Sequence, residues 1–386
     1  MSITTLILAL TQLLPQIGVR DRGVFQEYAP RVAIRIPANV SNETTSIVVN
    51  KKKRVLILYS GDVPVKIYPV AFGFNPRGHK KKQGDGRTPE GSYTIVEMRA
   101  KNLPSKYGAR SLLLSYPNAR DAQRGLARGL ISRRQAETIR AQIAAGKIPL
   151  QNTKLGSSIR IHGGGVQGDW TLGCVAMRDA DVIELYRHIR VGTRVRIVSD
   201  STRGDRDGDG IPDQLDILIG ANKLVLNAAL YGGTPYIRIP FPMGDVPKKR
   251  GVCTDVVIRA LRNAGYDLQS ILNRHIRANR RLYPWVKRPD PNIDQRRVKN
   301  LIVLFKAKYA LINRGINAKN RHTLYPGDIV FMDTLPKSGP DHIGIVSDRR
   351  GPNGYPLVIN NWTTGYRTSA MELLPQIPIT HHFRIR

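Results

Sequence analysis

The 386-residue chain is predicted to fold as two α+β domains in series, and three features of its text predict this. Short apolar runs punctuated by turn residues fill the stretch from Lys51 to Ser199. From Asp200 to Asp216 the composition then shifts, with six of the 29 acidic residues crowded among glycines. Beyond it, helical spacing comes first and strand-like runs last. Hydrophobic residues make up 41% of the chain, enough for real cores, and the two cysteines, Cys174 and Cys253, exclude a disulfide scaffold or a cysteine-built metal cluster.

In chain order, residues 1–50 form an N-terminal segment whose apolar part, Leu6 to Leu10 with Leu13 and Leu14, falls short of the roughly 18 residues of a membrane span. Its first basic residue is Arg20, so it reads as a poor signal or leader, or as an amphipathic helix. Val55 to Tyr59 is a strand, Ser60-Gly61-Asp62 a turn, and Val63 to Val70 the returning strand. Gly84 to Gly91 is a loop leading into a strand over Ser92 to Val96. Residues 118–146 carry helical apolar spacing, Ser157 to Ile161 reads as a strand, and Asp179 as the N-cap of a helix through His188. Thr193 to Val198 closes the block as a strand. After the acidic linker at 200–217, Leu224 to Leu230 and Cys253 to Ala264 are helical, and Asp328 to Met332, His342 to Ser347 and Pro356 to Asn360 are short strands of a second domain at 218–386.

The first candidate site is His162, followed by Gly163-Gly164-Gly165, with Asp169-Trp170-Thr171-Leu172-Gly173-Cys174 beyond. A thiol is nucleophilic as thiolate, and a histidine ending one strand can take the proton of a cysteine just past a glycine-rich loop. This stretch resembles the catalytic signature of the L,D-transpeptidase (YkuD) family, a His-Gly segment followed by Ser/Thr-x-Gly-Cys. The upstream Thr88-Pro89-Glu90-Gly91 loop is similar to that family's Thr-Pro-x-Gly. The resemblance implies a β-rich domain over 51–199 with Cys174 as acylated nucleophile and His162 as general base. It also implies that Gly163 and Gly173 supply the backbone that orients the histidine and holds the oxyanion. Such enzymes attack the carbonyl of the diamino acid in a peptidoglycan stem peptide, release the terminal D-alanine and pass the acyl group to an amine. Leu172 and Ala176 depart from the histidine and the arginine or asparagine of many members. The Asp-Trp-Thr-x-Gly-Cys version and the short spacing from His162 to Cys174 look like a subgroup that includes wall hydrolases.

In the linker, Asp205, Asp207, Asp209, Asp213 and Asp216 stand at positions 1, 3, 5, 9 and 12 of a loop with Gly210 at position 6. That spacing offers alternate oxygens to calcium, with Ile211 adding a backbone carbonyl. It resembles the calcium loops of thrombospondin type 3 and dockerin repeats; the other reading is a solvated acidic hinge. Catalysis needs no cofactor on this reading, and the calcium is structural.

The second candidate site is Cys253 at the start of a helix, with His342 and Asn360 on later strands. Helix-terminal N–H groups favour a thiolate there. Gly251-Val252-Cys253-Thr254-Asp255-Val256 and the two strands resemble NlpC-type cysteine peptidases of papain-like α+β fold. They look closer still to a bacterial family of unknown function carrying the Gly-Val-Cys-Thr-Asp-Val signature. By that resemblance Cys253 is nucleophile, His342 base and Asn360 the residue holding the imidazole, at a position where histidine is common.

Lys+Arg 61 against Asp+Glu 29 gives +32. The clusters Lys51 to Arg54, Lys80 to Lys82 and Arg274 to Arg297 read first as solvated faces, next as an affinity for anionic envelope polymers. Nucleic acid, with Tyr283 and Trp285 as stacking platforms, comes last because no binding motif accompanies it. The sequence thus predicts an extracytoplasmic peptidoglycan-modifying enzyme with a transferase and a hydrolase domain, acting on stem peptides. The alternatives are a pure wall hydrolase at both thiols, and a basic non-catalytic envelope- or nucleic-acid-binding protein. Oligomeric state is not legible in the sequence.

Overall fold

The computed structural model describes residues 34–200, 204–232, 236–335 and 339–385; most of the N-terminal leader segment expected at 1–50 lies outside these residues. The chain divides into two compact units within the acidic loop. One comprises residues 38–200 with 208–210, the other residues 34–37, 204–207 and 211–385. Among the described residues no helix is long and apolar enough to cross a membrane.

The first unit is built on an eight-stranded sheet. Its strands are β1 (Thr45–Asn50), β2 (Val55–Ser60), β3 (Val63–Pro69), β4 (Gly91–Arg99), β5 (Ser111–Leu114), β6 (Arg160–His162), β7 (Val175–Ala176) and β8 (Arg194–Val198), in the order β3-β2-β1-β8-β4-β5-β6-β7. The β2–β3 hairpin forms as the apolar runs predict, turning at Gly61 with φ +59°. β1 precedes Lys51, where the sequence reading began the domain, and pairs in parallel with β8. The predicted 118–146 helix is two helices, α1 (Ala119–Ala127) and α2 (Arg133–Ala144). Asn118 caps the first and Ser132 the second, each in a capping box, and Gly129 with φ +66° breaks the run between them. Their apolar faces bury Ala122, Ala136 and Ile139 against Leu155.

The first basic cluster is only partly a solvated face. Lys51 is buried, its ammonium donating to Gly78 O (2.6 Å), Thr88 O (2.9 Å) and Glu90 Oε1 (2.9 Å). Lys80 is buried too, on Asp85 at 2.9 Å. Asp85 also accepts the N–H groups of Lys81, Lys82 and Arg87, so these charges brace the Gly84–Gly91 loop from within.

Past α3 (Asp179–Tyr186), the second unit starts with α4 (Asp213–Asn227), well before the predicted Leu224. A two-strand pair, β9 (Leu230–Tyr231) with β10 (Arg250–Gly251), leads to α5 (Cys253–Asn263), α6 (Leu268–Ala278) and α7 (Val298–Lys308). Then come β11 (Ala310–Asn313), β12 (Ile329–Met332), β13 (His342–Arg350), β14 (Pro356–Asn360), β15 (Ser369–Met371) and β16 (Ile379–Arg384). These six form an antiparallel sheet, β11-β16-β12-β13-β14-β15. Val257, Leu261, Leu272, Leu304 and Phe305 from the helices pack with Ile343, Ile345, Ile359 and Phe383 of the sheet in one core. Tyr283 belongs to that core at 1% exposure, and Trp285 Nε1 donates to Asn300 Oδ1 at 2.7 Å. A buried tyrosine has no face to offer a base, which removes half of the stacking-platform reading.

Candidate active sites

In the first unit the backbone brings His162 and Cys174 together. β6 and β7 run in parallel with His162 opposite Ala176. By the two-residue alternation of strands, Cys174, one residue before β7, lies on the same sheet face as His162 and Arg160. The half-buried thiol donates to Ser158 O at 3.5 Å and receives the Arg160 N–H. Burial raises its pKa above the ordinary thiol value, opposed by that N–H and by the positive charges of Arg160, Lys106 and Lys80.

His162 is buried, and its Nδ1–H donates to Gly163 O at 2.7 Å, which leaves Nε2 as the basic nitrogen. Burial lowers its pKa to about 4, so the ring is neutral at pH 7 and able to accept a proton. Tyr107 and Trp170 hold the ring edge-on at centroid distances of 5.0 and 5.6 Å.

The two glycines act in different ways. The Gly163 carbonyl accepts the His162 Nδ1–H. The Gly173 N–H is occupied in this structure, donating to Thr171 Oγ1 at 3.1 Å. What Gly173 supplies visibly is conformation: φ is +136°, and a Cβ there would lie 2.7 Å from Arg87 O. Thr88 of the Thr-Pro-x-Gly loop is fully buried; it accepts the Gly73 N–H (3.1 Å) and donates to Cys174 O (3.4 Å), fastening that loop to Cys174.

Asp179 is the first residue of α3 and Arg178 its N-cap, a one-residue shift from the expected boundary. Its carboxylate instead reaches back to accept Ala109 N–H at 2.9 Å and Gly164 N–H at 3.1 Å, which fixes the glycine segment behind His162. Asp179, Tyr107 and Lys106 carry no signal in the motif, and only the fold brings them here.

In the second unit Cys253 is the first residue of α5. Helix-end N–H groups were expected to favour its thiolate; burial outweighs them and pushes the thiol up to about 12. The N–H groups of Ile343 and Thr254 point at its sulfur. His342 Nε2–H donates to Asn360 Oδ1 at 3.2 Å, with the ring edge-on to Trp362 at 4.8 Å and its pKa lowered by burial to about 4. The Asn360 amide oxygen thus fixes the His342 ring from the neighbouring strand.

Asp255 accepts the Val252 N–H and a two-pronged ion pair from Arg296 (2.8 and 3.0 Å), both side chains nearly buried. Asp341 accepts from the backbone of Thr334 and Leu335 and from the Thr334 hydroxyl, a turn carboxylate. Tyr231 was not found from sequence; it stands close enough to Cys253 for the thiolate charge to raise its pKa, after burial.

In the linker, one carboxylate oxygen each from Asp205, Asp207 and Asp209 lie within 4.8 Å of one another. Asp213 instead accepts the Arg206 N–H (2.8 Å) and the Tyr266 hydroxyl (2.7 Å), and Asp216 accepts from Asn263, so both anchor α4.

The first unit matches the profile of the L,D-transpeptidase catalytic domain (YkuD) over residues 44–197. The profile of DUF1287, a domain of unknown function, matches residues 219–385 and names no activity. The chain is 41% identical over 154 residues to the Uncharacterized protein YijF of Escherichia coli (strain K12), covering 39% of this chain and 72% of that protein, and it belongs to the same family.

Among solved structures, it is similar to Bd1075 of Bdellovibrio bacteriovorus, at 22% identity over 43% of this chain and 51% of that chain, TM-score 0.29. It is also similar to the helical cell shape determining protein Pgp2 of Campylobacter jejuni, at 19% identity over 52% of this chain and 64% of that chain, TM-score 0.30. A third is an L,D-transpeptidase from Mycobacterium smegmatis, at 9% identity over 40% of this chain and 59% of that chain, TM-score 0.24. The chain spans between about half and just under two thirds of these structures.

Proposed function

We propose that the protein is a peptidoglycan-modifying enzyme of the cell envelope, working on stem peptides through a cysteine acyl-enzyme in each unit. The observation that carries the reading is the placement of Cys174 and His162 on one face of adjacent parallel strands, with the imidazole neutral and oriented by Gly163. In the first unit the Cys174 proton passes to His162 Nε2 as sulfur attacks the stem-peptide carbonyl. The imidazolium then returns that proton to the departing D-amino acid as the C–N bond breaks. An incoming amine, giving its own proton to His162, takes the acyl group and frees the thiol.

In the second unit the reading is peptide hydrolysis at Cys253, with His342 as base held by Asn360. Water is the acceptor, and the NlpC likeness supports a stem peptide as substrate. The extracytoplasmic location follows from the substrate, and the +32 charge supports attraction to anionic envelope polymers. Calcium in the linker would be held by the carboxylates of Asp205, Asp207, Asp209, Asp213 and Asp216 with the Ile211 carbonyl, a reading supported by their spacing and by the convergence of the first three.

The test is mass analysis of products from defined tetrapeptide muropeptides, using the full chain and its single-cysteine variants. New crosslinks or D-amino-acid exchange that persist in Cys253→Ala and vanish in Cys174→Ala are expected. Shortened stems without any transfer product would assign water as the acceptor at both thiols. Full activity in Cys174→Ala would remove it as the nucleophile.

A further inference from the structure

Beside the first site lies an open cleft of about 480 Å³ lined by Ser105, Lys106, Gly164, Gln167 and Trp170. The two rings that hold His162 also connect it to this cleft. Trp170 forms part of the lining, its Nε1 donating to Gly165 O at 3.2 Å. The Lys106 ammonium sits 5.2 Å over the ring of Tyr107, the other ring against the imidazole. Gly164 keeps the cleft open, since a Cβ there would come within 3.2 Å of Trp170 and 3.3 Å of Lys106 O.

Charge singles out one side chain. Arg160, Lys106 and Lys80 are the cations acting on the Cys174 sulfur. Arg160 is already paired with Glu97 and Lys80 with Asp85, each at 2.9 Å. Lys106 is exposed and, among the described residues, forms no ion pair with a carboxylate. An ammonium without a carboxylate, close enough to nucleophile and base to act on both, is placed to meet an anion carried by the substrate.

We propose that Lys106, with the exposed amide of Gln167, forms a carboxylate subsite that recognises the free C-terminal carboxylate of the acyl-donor peptide. The inference rests on the acyl-transfer reading of this site. In such a peptide the terminal carboxylate is carried by the carbon bonded to the scissile nitrogen, about 4 Å from the carbonyl under attack. A long flexible lysine suits a point-charge contact at that range, and the glutamine amide can add a donated hydrogen bond.

The experiment compares two synthetic tetrapeptide donors, identical except for a free acid or a primary amide at the C-terminus, using the full chain. The wild-type protein is expected to prefer the acid about tenfold in kcat/KM, expressed mainly in KM, the scale of one solvent-exposed charge-assisted contact. Lys106→Met should bring the acid-to-amide preference to about unity, and Lys106→Arg should restore most of it. Equal treatment of acid and amide by the wild type overturns the inference, as does a preference that survives in Lys106→Met. Equal loss on both donors points to a structural lysine or to another carboxylate of the peptide, and also overturns it. Wild-type protein that is folded yet consumes neither donor rejects the acyl-transfer reading itself.

Discussion

The two thiol sites use the same pair of residue types, yet they hold the imidazole in different ways. At the first, His162 is tied to the carbonyl of the very next residue, and the neighbouring Gly164 is pinned by Asp179. At the second, His342 is tied to a side chain, Asn360, on the neighbouring strand, and its cysteine comes from a helix that packs on that sheet. Both rings are neutral at pH 7, with pKa values near 4, so both can begin as bases. The difference shows that an imidazole can be oriented locally by backbone or at long range by a side chain. The first arrangement is exposed to changes in backbone conformation, the second to loss of a single amide.

The largest expected effect separates the braces behind the two sites. Asp255 and Arg296 form a nearly buried ion pair at the start of α5, and Arg296→Ala leaves a carboxylate without its partner. A cost of about 3–5 kcal/mol to the second unit is expected, read as a lowered denaturation midpoint with the first-site activity kept. Asp179→Ala at the first site removes bonds to two exposed backbone N–H groups, and about 1 kcal/mol is expected by the same measurement. Equal effects would mean that burial does not distinguish the two braces.

Next in size is the orienting amide. Asn360→Ala leaves the His342 Nε2–H buried without its acceptor, and a loss of about 10- to 100-fold in second-site kcat is expected, with first-site turnover unchanged. Asn360→His, which restores a ring acceptor, should recover part of that loss. The first site offers no equivalent side chain; the matching change is Gly163→Ala, whose Cβ would collide with the Asp179 carboxylate. It should lower acyl-enzyme formation at Cys174, seen by intact-mass analysis, without touching the second site.

What was legible in the sequence follows the same division between local and long-range. The β2–β3 hairpin, the start of α5 and the span of β14 are set by apolar patterning within a few residues, and the structure has them where the pattern puts them. β1 was missed because the reading began the domain at Lys51, although β1 forms a local hairpin with β2 as well as its long-range pair with β8, and β16 because its place between β11 and β12 is a tertiary matter. Lys51 and Lys80 read as solvated charge because a run of lysines gives no sign of the loop that closes over two of them. Motifs located both cysteines and both histidines. They could not show Asp179 turning back from α3, Tyr231 standing near Cys253, or the Gly173 N–H occupied by Thr171. The first two are contacts between segments whose spacing in sequence is free; the third is a local turn whose hydrogen bond the motif does not specify.

The smallest effect tests whether burial or the helix end decides thiol reactivity. At Cys253 the two oppose each other: N–H groups of Thr254 and Ile343 favour the anion, while removal from water disfavours it and wins, leaving the thiol near 12. Cys174 is also raised, but it is half-buried and has three cations acting on it. At pH 7.5 iodoacetamide should therefore label Cys174 about ten times faster than Cys253, read by peptide mass analysis in the native protein. Because a raised pKa means the protonated form dominates at neutral pH, the Cys253 rate should climb about tenfold per pH unit through pH 9, with no plateau. A plateau near neutral pH at Cys253 would mean that the helix terminus, not burial, governs that thiol, and that His342 faces a thiolate instead of a thiol.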